Sequence, residues 1–217
     1  MKRIYVLFSS LIILSSAIYG EVSDTLESRK ALSFGIEITG PVIYSLNKNN
    51  QNYEGYTSLR LNHKYYLVAE AGYSNYQYEQ YNYSCISNGF FFRIGTDINL
   101  LKPESKIGNN YVGIGFRYGL ALFNQETPWY TYDNYWGEVE SSISKKFVNG
   151  HFLQLSGGIK AELFDNLFIG WTIRVNMMIY QSSGKENKPV FIPGMGGTDG
   201  AIEPGISFHI AWQIPLR

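Results

Sequence analysis

The stretch Tyr111-Val112-Gly113-Ile114-Gly115-Phe116-Arg117-Tyr118-Gly119-Leu120-Ala121-Leu122-Phe123 alternates without a break. Val112, Ile114, Phe116, Tyr118, Leu120 and Leu122 share one side of an extended chain; Gly113, Gly115, Arg117, Gly119 and Ala121 share the other. Successive side chains of a strand point to opposite faces, so this stretch predicts a strand with one apolar face and one face of small residues and a charge. A helix would scatter both sets around its circumference.

The same period recurs on either side. Toward the N-terminus, 86–98 sets Phe90, Phe92, Ile94 and Ile98 against Arg93, Gly95 and Asp97. In 65–76, Leu67, Ala69, Ala71 and Tyr73 oppose Val68, Glu70, Gly72 and Ser74. In 53–62, Thr57, Leu59 and Leu61 oppose Tyr56, Ser58 and Arg60; in 32–44, Leu32, Phe34, Ile36 and Ile38 oppose Ser33, Gly35, Glu37 and Thr39. Toward the C-terminus, 151–163 sets Leu153, Leu155, Ile159, Ala161 and Leu163 against Gln154, Ser156, Gly158, Lys160 and Glu162. In 167–179, Leu167, Ile169, Trp171, Ile173, Val175, Met177 and Ile179 oppose Gly170, Thr172, Arg174 and Asn176. In 206–214, Ile206, Phe208, Ile210, Trp212 and Ile214 oppose Ser207, His209, Ala211 and Gln213. No window after the N-terminal segment carries a helical period. The predicted fold is all-β, with eight antiparallel strands.

A soluble sandwich, a lipocalin-like barrel and a transmembrane barrel all alternate in this way. Three features favour the transmembrane barrel. The predicted strands run longer than the common globular length and suffice for a tilted crossing of a bilayer. The polar face is rich in Gly with sparse charges of both signs. Aromatics gather near strand ends, at Tyr44, Tyr53, Tyr65, Tyr66, Tyr76, Trp171, Tyr180 and Trp212, as in interface girdles. Composition agrees: aromatics make up 16% of the 217 residues and charged residues only 17%, below the roughly 25% of soluble domains. The formal net charge of +0 argues against a nucleic-acid partner.

Connection lengths supply an orientation. Links 62–64, 100–110 and 164–166 are short or moderate; 47–52, 77–85, 124–150 and 181–203 are longer and polar or aromatic. They alternate, as periplasmic turns and extracellular loops do in an up-and-down barrel. Segment 138–147 has strand character of its own. A ninth strand would break the even count, so it is expected to extend the third outer loop. At the N-terminus, Lys2 and Arg3 precede an apolar run over 4–14 and the small residues Ser15, Ser16 and Ala17. This organisation predicts a cleaved signal peptide over 1–20, cut after Ala17 or Gly20. A periplasmic segment, 21–30, and the barrel, 31–217, are expected to follow. Cys85, the one cysteine, excludes an internal disulfide; a free thiol near a strand end and a bridge to another chain both remain open.

The chain resembles the small eight-stranded OmpA/OmpX-type barrels, and is similar to a family of uncharacterised outer-membrane barrels from Bacteroides-type bacteria. The residues that carry the resemblance are Tyr135-Trp136-Gly137, Gly158-Ile159-Lys160-Ala161-Glu162, Phe168-Ile169-Gly170-Trp171 with Arg174, Ile192-Pro193-Gly194, and Trp212-Gln213-Ile214-Pro215. It implies an outer-membrane location and no established activity. Barrels of this kind commonly finish on an aromatic, whereas this sequence ends Ile214-Pro215-Leu216-Arg217.

With the apolar face toward lipid, the lumen receives Glu37, Glu70, Asp97 and Glu162 with Arg60, Arg93, Arg117, Lys160, Arg174 and His209. An eight-stranded barrel is just wide enough for its side chains to fill. These charges are therefore expected to pair as an internal network that plugs the bore, rather than to form an ion path. A hydrolytic site would need a histidine beside a nucleophile and a carboxylate. Of the three histidines, His63 falls in a turn, His151 follows Ser141, Ser142 and Ser144, and His209 is near Ser207. No nucleophile motif accompanies them. No metal-ligand spacing, phosphate cradle or dinucleotide fingerprint occurs, so no catalytic residue, metal or cofactor is expected. Trp129, Tyr130, Tyr132, Tyr135 and Trp136 suit a contact surface for a partner protein or external ligand, or rings folded onto the rim. The expected role is a non-enzymatic barrel that binds lipid around it and a partner through its outer loops. A lipid-modifying enzyme of the lipid A deacylase or acyltransferase type is the alternative.

Overall fold

The computed structural model describes residues 30–101, 110–183, 188–200 and 202–216. The expected signal peptide and 21–29 of the segment after it lie outside the described residues. Among the described residues, the elements are β1 (Ala31–Glu37), α1 (Thr39–Leu46), β2 (Asn50–Arg60), β3 (Tyr65–Gln80), β4 (Tyr83–Asn99), β5 (Tyr111–Asn134), β6 (Gly137–Phe164), β7 (Leu167–Gln181), β8 (Phe191–Ile192), β9 (Gly196–Gly197) and β10 (Ile202–Pro215). Eight strands close a ring in the order β1-β10-β7-β6-β5-β4-β3-β2, and the two-residue strands β8 and β9 pair separately. Every neighbouring pair is antiparallel. The all-β, eight-stranded, up-and-down prediction holds. The end that carries Ala31 and Pro215 is called lower here, and the opposite end upper.

The predicted faces are kept around the ring. Phe34, Ile36, Phe90, Phe92, Ile94, Ile114, Phe116, Leu155, Ile206 and Trp212 stand exposed on the outside, while Glu70, Arg93, Asp97, Arg117, Gln154, Asn176, Ser207 and His209 are buried within. The inward glycines make room for larger neighbours. A Cβ on Gly115 would lie 2.0 Å from Asp97 Oδ1, and one on Gly119 would lie 2.3 Å from the Phe152 ring. The outward apolar run ends sharply. On β5 it extends from Val112 to Leu122, and then Asn124 stands opposite Asn88 of β4, which stands opposite Asn75 of β3. That row of three asparagines marks the upper edge of the apolar wall.

The structure corrects four expectations about the elements. The first strand stops at Glu37, and the rest of the predicted 32–44 strand is α1. Pro41 falls in the first turn of α1, where its missing N–H costs nothing, and the Cβ that Gly40 lacks would lie 1.9 Å from the Asn52 carbonyl oxygen. The 124–150 segment is not a loop: β5 and β6 run on as a paired hairpin to a turn at Tyr135 and Trp136. Segment 138–147 is accordingly the upper part of β6 itself, and the count of eight survives. Third, the Gly-rich stretch of the 181–203 connection folds back into the barrel, with Ile192, Met195 and Thr198 buried. Finally, two of the expected girdle rings point inward, Tyr66 against Tyr111 and Tyr76 against Phe191.

Candidate functional site: the lumen and its upper rim

Inward positions of five strands bring six charged side chains into one alternating chain. Arg117 Nη2 donates to both oxygens of Asp97 at 3.0 and 3.1 Å, and its Nη1 lies 3.3 Å from Glu70 Oε1. Glu70 Oε2 meets Arg93 Nε at 2.7 Å, and Arg93 Nη2 meets Glu54 Oε2 at 2.5 Å. Glu54 ends in a two-pronged pair with Arg174, at 2.9 and 3.0 Å. Three acids thus alternate with three bases, and two serines add to it: Arg117 donates to Ser156 Oγ at 3.1 Å and the terminal Arg174 to Ser207 Oγ at 2.6 Å. Burying ions is costly unless each is matched and hydrogen-bonded. Alternation gives Arg93, Glu54, Glu70 and Arg117 an opposite charge on both sides.

The residues assigned to the lumen from sequence fall into two groups. Glu70, Arg93, Asp97, Arg117 and Arg174 belong to the chain. Glu54, inside the predicted 53–62 strand and of the same parity as Tyr56, Ser58 and Arg60, is the member missed from sequence. Glu37 stands at the top of β1 and accepts from Asn52 Nδ2 at 3.2 Å. Lys160 sits apart near the lower end, its ammonium 5.0 Å from the Tyr56 and Tyr111 ring centres. His209 packs edge-on to Tyr56 at 5.3 Å. Arg60 lies opposite Tyr66 near the lower rim. Glu162 caps the β6–β7 turn, accepting from the Asn166 N–H at 2.9 Å.

Above the ion chain the lumen turns apolar. Phe91, Phe123, Phe152, Val148 and Ala121 project inward and pack with Ile192 and Met195 of the folded-back connection. That connection is bound through its backbone. Arg93 Nη1 donates to Gly194 O at 3.3 Å, Asn176 Nδ2 to Met195 O at 2.7 Å, and Ser87 Oγ to Phe191 O at 2.9 Å. Gly194 has a φ of +75°, and Gly196 one of +110°, both in the left-handed region that glycine tolerates. The charge layer thus lies below, and the folded-back connection above it, inside the ring. Cys85, also inward, is a free thiol and buried, so it is not presented to another chain.

The five aromatics expected as one contact surface separate. Tyr135 and Trp136 form the hairpin tip, 92% and 88% exposed, packed edge to face at 5.1 Å. Tyr130 and Tyr132 stack on each other at 6.0 Å, with Tyr130 opposite Tyr83. Tyr83 in turn contacts Tyr78, Tyr78 stacks on Tyr76, and Tyr76 lies 4.4 Å from Phe191 of the folded-back connection. Trp129 stays half-buried at the base of the tip.

The histidines are likewise placed by their strands. His151 faces outward, where its Nδ1 meets the Tyr118 hydroxyl at 2.5 Å and its ring lies 5.7 Å from Tyr180. Ser144, Ser142 and Ser141 lie seven to ten positions farther along the same strand, about 23–33 Å away at ~3.3 Å per residue. Ser207 is engaged by Arg174 rather than by His209.

The N-terminal β-barrel domain of Pseudomonas aeruginosa OprF is a similar solved structure, at 10% identity over 87% of this chain and 100% of that one, with a TM-score of 0.37. No curated protein matches the sequence. A family model described as a domain of unknown function, DUF6048, matches residues 2–217, and the chain belongs to that family.

Proposed function

We propose that the protein is an exported, non-enzymatic barrel of the bacterial outer membrane, closed to ions, that binds a partner protein or external ligand through its β5–β6 hairpin. The observation that carries the membrane reading is the outward wall. On β5 the apolar run from Val112 to Leu122 covers ten steps, about 33 Å along the strand and about 25 Å in height at a ~40° tilt, the height of an outer-membrane apolar band. Asn124, Asn88 and Asn75 side by side end that band. The charged chain lies inside and the apolar rows of β4 and β5 face outward at its level, the reverse of a soluble barrel.

The hairpin carries the rest of the proposal. It rises ten residues beyond Asn124 and ends in Tyr135 and Trp136, two rings of the kind that anchor interfaces. With the bore filled, the part left for recognition is this projection. The membrane reading is tested by comparing unboiled and boiled protein on detergent gels, where a folded membrane barrel changes its migration. For the partner, the intact protein and a Tyr135→Ser/Trp136→Ser variant are purified from native membranes under mild conditions. A reproducible companion that is lost in the variant supports the proposal. The same companion retained by the variant removes the tip from it.

A further inference from the structure

The wall has one irregular joint. β1 pairs with β10 from Ala31 opposite Pro215 to Glu37 opposite His209, yet β10 continues upward along β7 to Ile202. Phe208 is the last residue tied across this joint, its N–H donating to Thr39 Oγ1 and its carbonyl accepting from the Ile38 N–H. Above it the place of a wall strand is taken by α1, which presses on the far side of the gap through Gly40 against Asn52. Backbone groups of a strand alternate in direction, so Ile206, Pro204 and Ile202 share the orientation of Phe208 and face the gap. Pro204 has no N–H to leave bare there, which is where prolines are tolerated in sheets.

A cavity of about 230 Å³ occupies this seam, lined by Ile43, Phe191, Pro204 and Ile206 as well as by polar groups. The volume equals roughly seven or eight liquid-water volumes, enough for a small head group and its first carbons. Its lining holds three acids, Glu37, Glu54 and Glu203, and one base, Arg174. Glu54 is matched by Arg93 and Arg174. Glu37, 8% exposed, accepts from Asn52 but joins no ion pair among the described residues, and neither does Glu203 at the cavity's upper edge. Asn176, 3% exposed and in the same lining, has an Oδ1 with no hydrogen-bond partner among the described residues. A buried carboxylate without a matching cation is a costly arrangement. Here it adjoins an open space, apolar walls and a side exit.

We propose that this seam binds a single-chain amphiphile with an ammonium head, the head against Glu37 and the tail passing between Ile43 and Ile206 to the outside of the wall. The path of the tail rests on the outer-membrane reading; the head site does not. Glu37 and Glu203 supply acceptors for an ammonium, while Arg174, the one base in the lining, is held by Glu54. A neutral alcohol of the same length would gain the tail contacts and lose the charged ones.

The test titrates octylamine, octanol, octyl sulfate and butylamine into the purified full-length protein in a neutral detergent, followed by calorimetry. Octylamine is expected to saturate at one site per barrel, with octanol weaker by about tenfold, the scale of a charge-assisted hydrogen bond, and octyl sulfate weaker still. Glu37→Gln is expected to bring octylamine to the octanol level, and Ile206→Trp, which fills the slot, to weaken both. Octanol binding as tightly as octylamine, or octylamine binding unchanged by Glu37→Gln, overturns the proposal. Should Glu37→Gln fail to show the heat-dependent gel shift of the folded barrel, Glu203→Gln carries the same test, with a smaller loss expected and no loss overturning it. Butylamine competition reports on the head site alone. Competition without any heat-dependent shift in the unmodified protein would refute the membrane reading and leave the head site standing; a shift without amine preference would do the reverse.

Discussion

Arg93 holds two carboxylates at once, Glu70 through Nε and Glu54 through Nη2, while Nη1 reaches the plug at Gly194. Removing it takes one of two cations from each acid and loosens the plug, whereas removing an acid at the end of the chain takes a charge from one partner only. Arg93→Met is therefore expected to lower stability by about 3–5 kcal/mol, the cost of breaking a buried pair from one side. Asp97→Asn should cost clearly less, because Arg117 keeps Glu70 and Ser156. Urea titrations of the folded barrel in detergent would separate the two. Equal losses would mean that the six charges act as independent pairs and not as a chain. Most of these residues are legible from sequence because inward parity is fixed by period two. Glu54 escaped because β2 begins at Asn50, above the point where its alternation becomes apolar enough to notice. Phe91, Phe123 and Phe152 were hidden differently: an apolar residue at an inward position carries no sequence mark once the lumen is assumed to be polar.

At the level of elements, the plug depends on a backbone conformation that few residues adopt. A Cβ on Gly194 would lie 2.4 Å from the Phe91 ring, at a φ of +75°. Gly194→Ala is expected to cost about 1–3 kcal/mol of local strain and to expose the 188–200 segment to added protease while the eight-strand wall remains intact. Unchanged cleavage kinetics would show that the plug tolerates the shift. The β5–β6 hairpin makes the opposite prediction. Its residues beyond Gln125 and Lys146 pair mainly with each other, so replacing 127–143 with an Asn-Gly turn should preserve the folded gel migration and abolish partner capture. Loss of folding on that deletion would assign the hairpin a structural role. Neither α1 nor the plug was legible beforehand, for related reasons. Thr39-Gly40-Pro41 opens with residues that lower helix propensity, and its helix forms because β2 and the end of β1 offer it a seat. Pro193-Gly194-Met195-Gly196-Gly197 reads as a solvated turn, and its burial exists only because a lumen with Asn176, Arg93 and Ser87 aims donors at it.

For the molecule as a whole, the filled interior predicts an absence of steady ion conductance when the protein is reconstituted into planar bilayers. A large, reproducible conductance would mean that the charge layer and plug do not close the bore. The joint between β1 and β10 has a further consequence, in time rather than in space. It is sealed by seven residue pairs, against eleven for β10 with β7 and sixteen for β3 with β4. It also unites the first and last strands, so it has the longest loop to close and little pairing to repay that entropy, and β1 has only six pairs with β2 on its other side. It should be the last contact formed as the barrel assembles and the first to open as it comes apart. Amide exchange in the folded protein should accordingly run fastest at Phe34, Ile36 and Ile210, whose N–H groups face this joint, ahead of the pairs that join β3 to β7. The ring, once shut, has a clasp.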